Sequence, residues 1–86
     1  MPEISRFLGI SIRMFRDDHP PPHFHAVYNE FSAQVSIVHP AILQGRLPPR
    51  VLGYVVEWAV AHEEALLQCW HAAQTDRPVS KIEPLV

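Results

Sequence analysis

Within nine residues of this chain, Asp17-Asp18-His19-Pro20-Pro21-Pro22-His23-Phe24-His25, stand three histidines and two aspartates. Imidazole changes charge near neutral pH and is the commonest protein ligand for transition metals. On a strand, side chains two apart share a face, so His23 and His25 point one way and Phe24, Ala26 and Tyr28 the other. The three prolines ahead of His23 hold φ near its polyproline value and donate no backbone hydrogen bonds. The approach to the pair is therefore stiff and belongs to no helix or central strand.

Two chemistries suit this pattern. His-x-His on a strand, completed by Asp18 or His19, offers three ligands and an open fourth position to a divalent metal, giving a candidate set of His19, His23, His25 and Asp18. Alternatively, His23 and His25 act as general acid and base on a phosphodiester, while Arg13 or Arg16 stabilises the charge that builds on phosphorus. The plain alternative is a pair of solvated histidines on the polar face of a half-exposed sheet.

Strands must position these residues. After Gly9, Ile10, Ile12 and Met14 alternate with Ser11 and Arg13, which predicts a strand over about 9–16 with the apolar set inward. A second strand spans 23–28 and a third 31–38, where Phe31, Ala33, Val35 and Ile37 make the apolar face. A two-residue turn at Asn29-Glu30, with asparagine tolerating positive φ, pairs Tyr28 with Phe31, Ala26 with Ala33 and Phe24 with Val35. The same register sets His25 opposite Gln34 and His23 opposite Ser36. Ile4 to Phe7 reads as an extended arm or strand start, and 39–49 as a connector.

Helix entry near Pro48 or Pro49 follows from proline's fit in a first turn, and the apolar stripe Val51, Val55, Trp58, Leu66, Cys69 and Ala73 predicts one helix over about 48–74. At about 1.5 Å per residue such a helix is roughly 37 Å long and overhangs strands of about 20 Å. Its far end either folds under the tail, 78–86, or meets another chain. Trp70 and Trp58 are thus candidate anchors for a partner as well as core residues. His62, in line with the stripe, reads as a hydrogen-bonded core residue. The expected architecture is one α+β domain, 1–86: a three-stranded antiparallel meander on one long C-terminal helix, with an extended C-terminal tail.

Composition narrows the function classes. Eighty-six residues with 48% hydrophobic and 19% charged content make a folded single domain. The one cysteine, Cys69, excludes an internal disulfide and a cysteine-cluster zinc site. No secretory pattern opens the sequence and no apolar run reaches membrane-span length, so a cytoplasmic protein without a membrane partner is expected. Net charge is −2, and the first fifty residues carry five arginines against four carboxylates. That balance does not support nucleic-acid binding by counterion release, and any phosphate contact must be local to the arginine and histidine end.

The residues so far assembled resemble a small bacterial family known as domain of unknown function 4160. The resemblance rests on Pro2-x-Ile4, Gly9-Ile10, His19-x-Pro-Pro-His23-x-His25, Leu47-Pro48, Glu57-Trp58-Ala59 with His62 and Glu64, Trp70, and Lys81-Ile82-Glu83-Pro84-Leu85. Asn29 stands at a turn where such proteins often carry glycine, and Pro20 where they more often carry a polar or acidic residue. Members look like the toxin side of two-gene toxin–antitoxin operons, which implies a cognate antitoxin encoded nearby and makes His23 and His25 candidate functional residues. The leading expectation is therefore a toxin component. A small metal-binding or phosphodiester-hydrolysing enzyme, and a plain interaction or homodimer module, are the alternatives.

Overall fold

The hairpin at the centre of the sequence forms as its alternation requires. In the computed structural model, which describes residues 3–86, strands β1 (Glu3–Phe7), β2 (Ile10–Arg13), β3 (His23–Tyr28), β4 (Phe31–Ser36) and β5 (Ile42–Arg46) build one antiparallel sheet in sequential order. The β3–β4 pairing sets Tyr28 against Phe31, Ala26 against Ala33, Phe24 against Val35, His25 against Gln34 and His23 against Ser36. Asn29 takes a φ of 52°, as its place in the turn demands.

The sheet has five strands, not the three expected. β1 joins β2 through Leu8 and Gly9, both at positive φ, which closes a two-residue hairpin that brings Phe7 opposite Ile10. Leu8 is an apolar residue where such turns usually carry Asn or Asp, and it hid the turn. β5 lies in what reads as connector, and its side chains are mostly exposed, so no alternation marked it. Gly45 is what lets it pair: its φ is +86°, and a Cβ there would stand 2.3 Å from the Ser32 carbonyl oxygen. Pro2, part of the family resemblance, lies outside the described residues.

The expected single helix is two, α1 (Pro49–Ala61) and α2 (Glu63–Gln74). His62 leaves helical geometry (φ −122°, ψ 26°), donates its N–H to the Trp58 and Ala59 carbonyls, and accepts from the Leu66 N–H. Unbroken, residues 49–74 would run about 39 Å, longer than the 33 Å greatest extent of the Cα trace. The bend keeps both halves on the core. Glu63 and Glu64 then begin α2 where carboxylates complement a helix N-terminus. His62 is half-buried with its ring against Trp58, rather than a hydrogen-bonded core residue.

Core side chains come from one face of the sheet and from both helices. Ile10, Ile12, Met14, Phe24 and Val35 are fully buried there, with Trp58 the largest. Trp58 contacts Phe7 and Phe24 and donates its indole N–H to the Glu83 carbonyl at 2.8 Å. The tail packs back as expected: the Ile82 N–H reaches the Ile4 carbonyl at 2.7 Å, and the Cys69 thiol reaches the Ser80 carbonyl at 3.3 Å. Burial pushes that thiol up from its ordinary pKa. Trp58 and Trp70, 0% and 5% exposed, are core residues of the chain itself and present no anchor at its surface. Among the described residues, no helix is long and apolar enough to cross a membrane.

Candidate functional site

β3 delivers both imidazoles at the start of the strand, and the loop 14–22 folds Asp18 back to meet them. The Pro20–Pro21 bond in that loop is cis. His23 Nδ1 lies 2.8 Å from the Pro21 carbonyl oxygen. A carbonyl only accepts, so Nδ1 carries a proton and donates it, and Nε2 is the nitrogen left to face the site. It stands 3.0 Å from Asp18 Oδ2. His25 Nε2 also stands 3.0 Å from that same oxygen. Two imidazole nitrogens and one carboxylate oxygen thus converge, all within 4.8 Å of one another.

The solvated-pair reading does not survive this. His23 is only 4% exposed, its ring packed at 5.3 Å between centroids from Trp70; His25 is 17% exposed and stacks on Phe15 at 3.9 Å. Burial pushes the Asp18 carboxyl up, but hydrogen bonds from His25, the His19 amide and His23 outweigh it and hold the group below the usual carboxylate range. It is an anion at neutral pH.

The loop carrying Asp18 is tied to the end of α2. Gln74 donates its side-chain amide to the Asp18 carbonyl at 3.0 Å, the Asp17 N–H approaches the Ala73 carbonyl at 3.4 Å, and Arg16 pairs with Asp76. Through Trp70 and Gln74, α2 therefore supports both the buried imidazole and the carboxylate. Nothing in the local pattern points to Gln74, which lies 56 positions from its partner.

Of the sequence-derived candidates, the fold brings together Asp18, His23 and His25 and leaves out three. His19 is exposed, and its contribution is the backbone N–H that donates to Asp18 Oδ1 at 2.9 Å, because the loop turns its ring outward. Arg13 stands opposite His25 in register but spends its Nε on Ser11 Oγ at 3.1 Å. Ser11, expected outward, is buried beneath that contact and donates to Glu3. Arg16 is engaged with Asp76.

His23 Nε2 can face a carboxylate in two ways. It is the second N–H of an imidazolium, or it shares a cation with Oδ2 through its lone pair. The second arrangement has the supports that metal-binding histidines ordinarily show, an Nδ1–H held by a backbone carbonyl that fixes tautomer and ring orientation. In a tetrahedral shell with bonds of about 2.0–2.1 Å, neighbouring ligand atoms stand about 3.3 Å apart. The two separations from Asp18 Oδ2 to the imidazole nitrogens, 3.0 Å each, are within a few tenths of that, and the two nitrogens lie within 4.8 Å of each other.

These features define a small α+β domain with a helix-covered sheet and a two-histidine, one-carboxylate cluster at the start of its central strand. The chain belongs to the family described as domain of unknown function (DUF4160), whose model matches residues 9–71 and so spans the cluster. Neither the curated proteins nor the solved structures contain a match to the chain.

Proposed function

We propose that the chain binds one divalent transition metal through Asp18, His23 and His25, and that this centre is the active surface of a toxin component neutralised by a cognate antitoxin in the cytoplasm. The observation that carries the metal half is His23, whose Nδ1–H is committed to the Pro21 carbonyl while its Nε2 and that of His25 both face Asp18 Oδ2. Two imidazoles and a carboxylate with a fourth position open are the ligand type of hydrolytic zinc centres, where the ion lowers the pKa of bound water. Such a centre suits phosphodiester hydrolysis better than metal-free acid–base work does, because the ion would itself stabilise the charge on phosphorus, whereas without it that role falls to Arg13, whose Nε is already given to Ser11. The toxin half rests on the family resemblance.

The test is expression of the chain alone and together with the neighbouring gene product. The wild type slows growth alone and is relieved by the neighbour, whereas His23→Gln and Asp18→Asn lose both metal and effect. A chain that binds metal yet leaves growth untouched removes the toxin half and leaves the hydrolase. A plain interaction module shows partner binding that neither substitution disturbs.

A further inference from the structure

The open face of the sheet carries one row of polar residues through the proposed centre. Strand register sets Arg13 on β2 opposite His25 on β3, His25 opposite Gln34 on β4, and Gln34 opposite Gln44 on β5. At about 4.8 Å between strands, the row from Arg13 to Gln44 is roughly 14 Å long. Beyond His25 the surface sinks into a depression of about 140 Å³ lined by His25, Ser32, Ala33, Gln34, Gln44 and Gly45. Among the described residues, the side chains of Gln34, Gln44 and Ser32 form no hydrogen bond, and Arg13 commits only its Nε. In the neighbouring row, Arg46 stands opposite Ser32 with its guanidinium over the Phe31 ring. Of the carboxylates along the first row, Glu3 opposite Arg13 is already taken by Arg6 and Ser11, and Asp18 at His25 belongs to the proposed centre.

We propose that this row is a groove for single-stranded nucleic acid, with phosphates at Arg13 and Arg46 and a base in the depression whose edge meets the Gln34 and Gln44 amides. The assignment rests on the metal reading above, since it lays a phosphodiester beside His25 and so names the substrate of that centre. Two separated guanidinium groups call for a ligand with spaced negative charges, and uncommitted amides between them call for a ligand with donor and acceptor edges. A nucleotide strand has both. A duplex occupies the Watson–Crick edges of its bases, and two cations on a chain of net charge −2 cannot neutralise many of its phosphates. Exposed edges of unpaired bases are what sequence-reading single-strand binders use.

The count of two phosphates makes the salt dependence quantitative. With a slope of about −0.7 per phosphate for single strands, two contacts weaken binding about 7-fold between about 50 and 200 mM salt, and one contact only about 2.6-fold. The experiment is fluorescence anisotropy of short labelled single-stranded RNA, single-stranded DNA and duplex DNA, with the full chain loaded with zinc and again after chelation. Binding of either single strand in preference to the duplex, with about the 7-fold salt effect, supports the groove, and the tighter strand names the sugar. Arg13→Gln should reduce the salt effect to about 2.6-fold. The double variant Gln34→Ala, Gln44→Ala should weaken strand binding about tenfold or more while circular dichroism and metal content stay as in the wild type.

Equal binding by that double variant, or a duplex held as tightly as a single strand, overturns the groove. The two proposals fail separately. One metal per chain with no strand bound ends the groove and leaves the centre standing. Strand binding that depends on Gln34 and Gln44 in a chain that takes up no metal ends the centre and leaves the groove.

Discussion

Gln74→Ala isolates the link between α2 and the site without touching any ligand atom. The substitution deletes the hydrogen bond from the Gln74 amide to the Asp18 carbonyl, the firmest of the three ties between the loop 14–22 and the end of α2. The other two ties are weaker: the Asp17 to Ala73 bond is long at 3.4 Å, and the Arg16–Asp76 pair has side chains 45% and 93% exposed. An exposed ion pair contributes about 0–1 kcal/mol, and the lost amide bond about 1 kcal/mol. In a domain of this size that lowers Tm by about 4–8 °C. If the metal-competent loop is populated less by the same free energy, apparent metal affinity falls about 3- to 10-fold. Competition against a zinc-sensitive dye measures the affinity, and Asp76→Asn, predicted to change it less than about 2-fold, is the control. A Gln74→Ala protein with lowered Tm and undiminished affinity refutes the reasoning, because Asp18 would then be held by something other than α2.

Other expectations follow from the same geometry. Val35→Asp places a carboxylate against Phe24 at a position with no exposure and should cost more than about 3 kcal/mol, enough to unfold the domain in urea, whereas Gln34→Asp on the open face should stay within about 0.5 kcal/mol. Gly45→Ala, with its Cβ driven toward the Ser32 carbonyl at positive φ, should lower the urea midpoint by the equivalent of about 1–3 kcal/mol, and an unchanged midpoint would mean β5 is not held as described. In the metal-free chain, Asp18 is held below the usual carboxylate range, so the unfolded chain binds more protons through that window. The stability Asp18 contributes is therefore fully present above the ordinary carboxylate pKa of about 4 and lost as pH falls through the lower folded value. Asp18→Asn should flatten, though not abolish, this acid limb in thermal melts, because Glu3 is also held low by the Ser11 hydroxyl and Arg6. An identical acid limb in the variant would show that Asp18 is not engaged.

Where side chains alternate and one face must be buried, sequence determines structure closely. The β3–β4 register is legible from Phe24, Ala26, Phe31, Ala33 and Val35 because a one-residue slip would expose all of them. β5 is not legible, since Leu43 to Arg46 stay exposed and an edge strand held by its ladder leaves no apolar period. The bend at His62 was hidden for another reason. Ala61-His62-Glu63 contains no proline or glycine, and the break answers to the size of the core rather than to local propensity. In the site, spacing placed His23 and His25 on one face, and proximity nominated Asp18. It could not say that His19 would give only its amide, that Arg13 would turn to Ser11, or that Trp70 and Gln74 on a distant helix would complete the support. Those are consequences of tertiary packing.

The most direct test of the metal centre is elemental analysis of the untagged chain purified without chelator, followed by zinc titration of the same chain after chelation. One divalent ion per chain is expected, taken up again after removal and lost in His23→Gln, His25→Gln and Asp18→Asn, with His19→Gln retaining it because its ring stands outside the cluster. A chain that carries no metal and takes up none on titration, or one whose bound metal survives His23→Gln, would contradict the account.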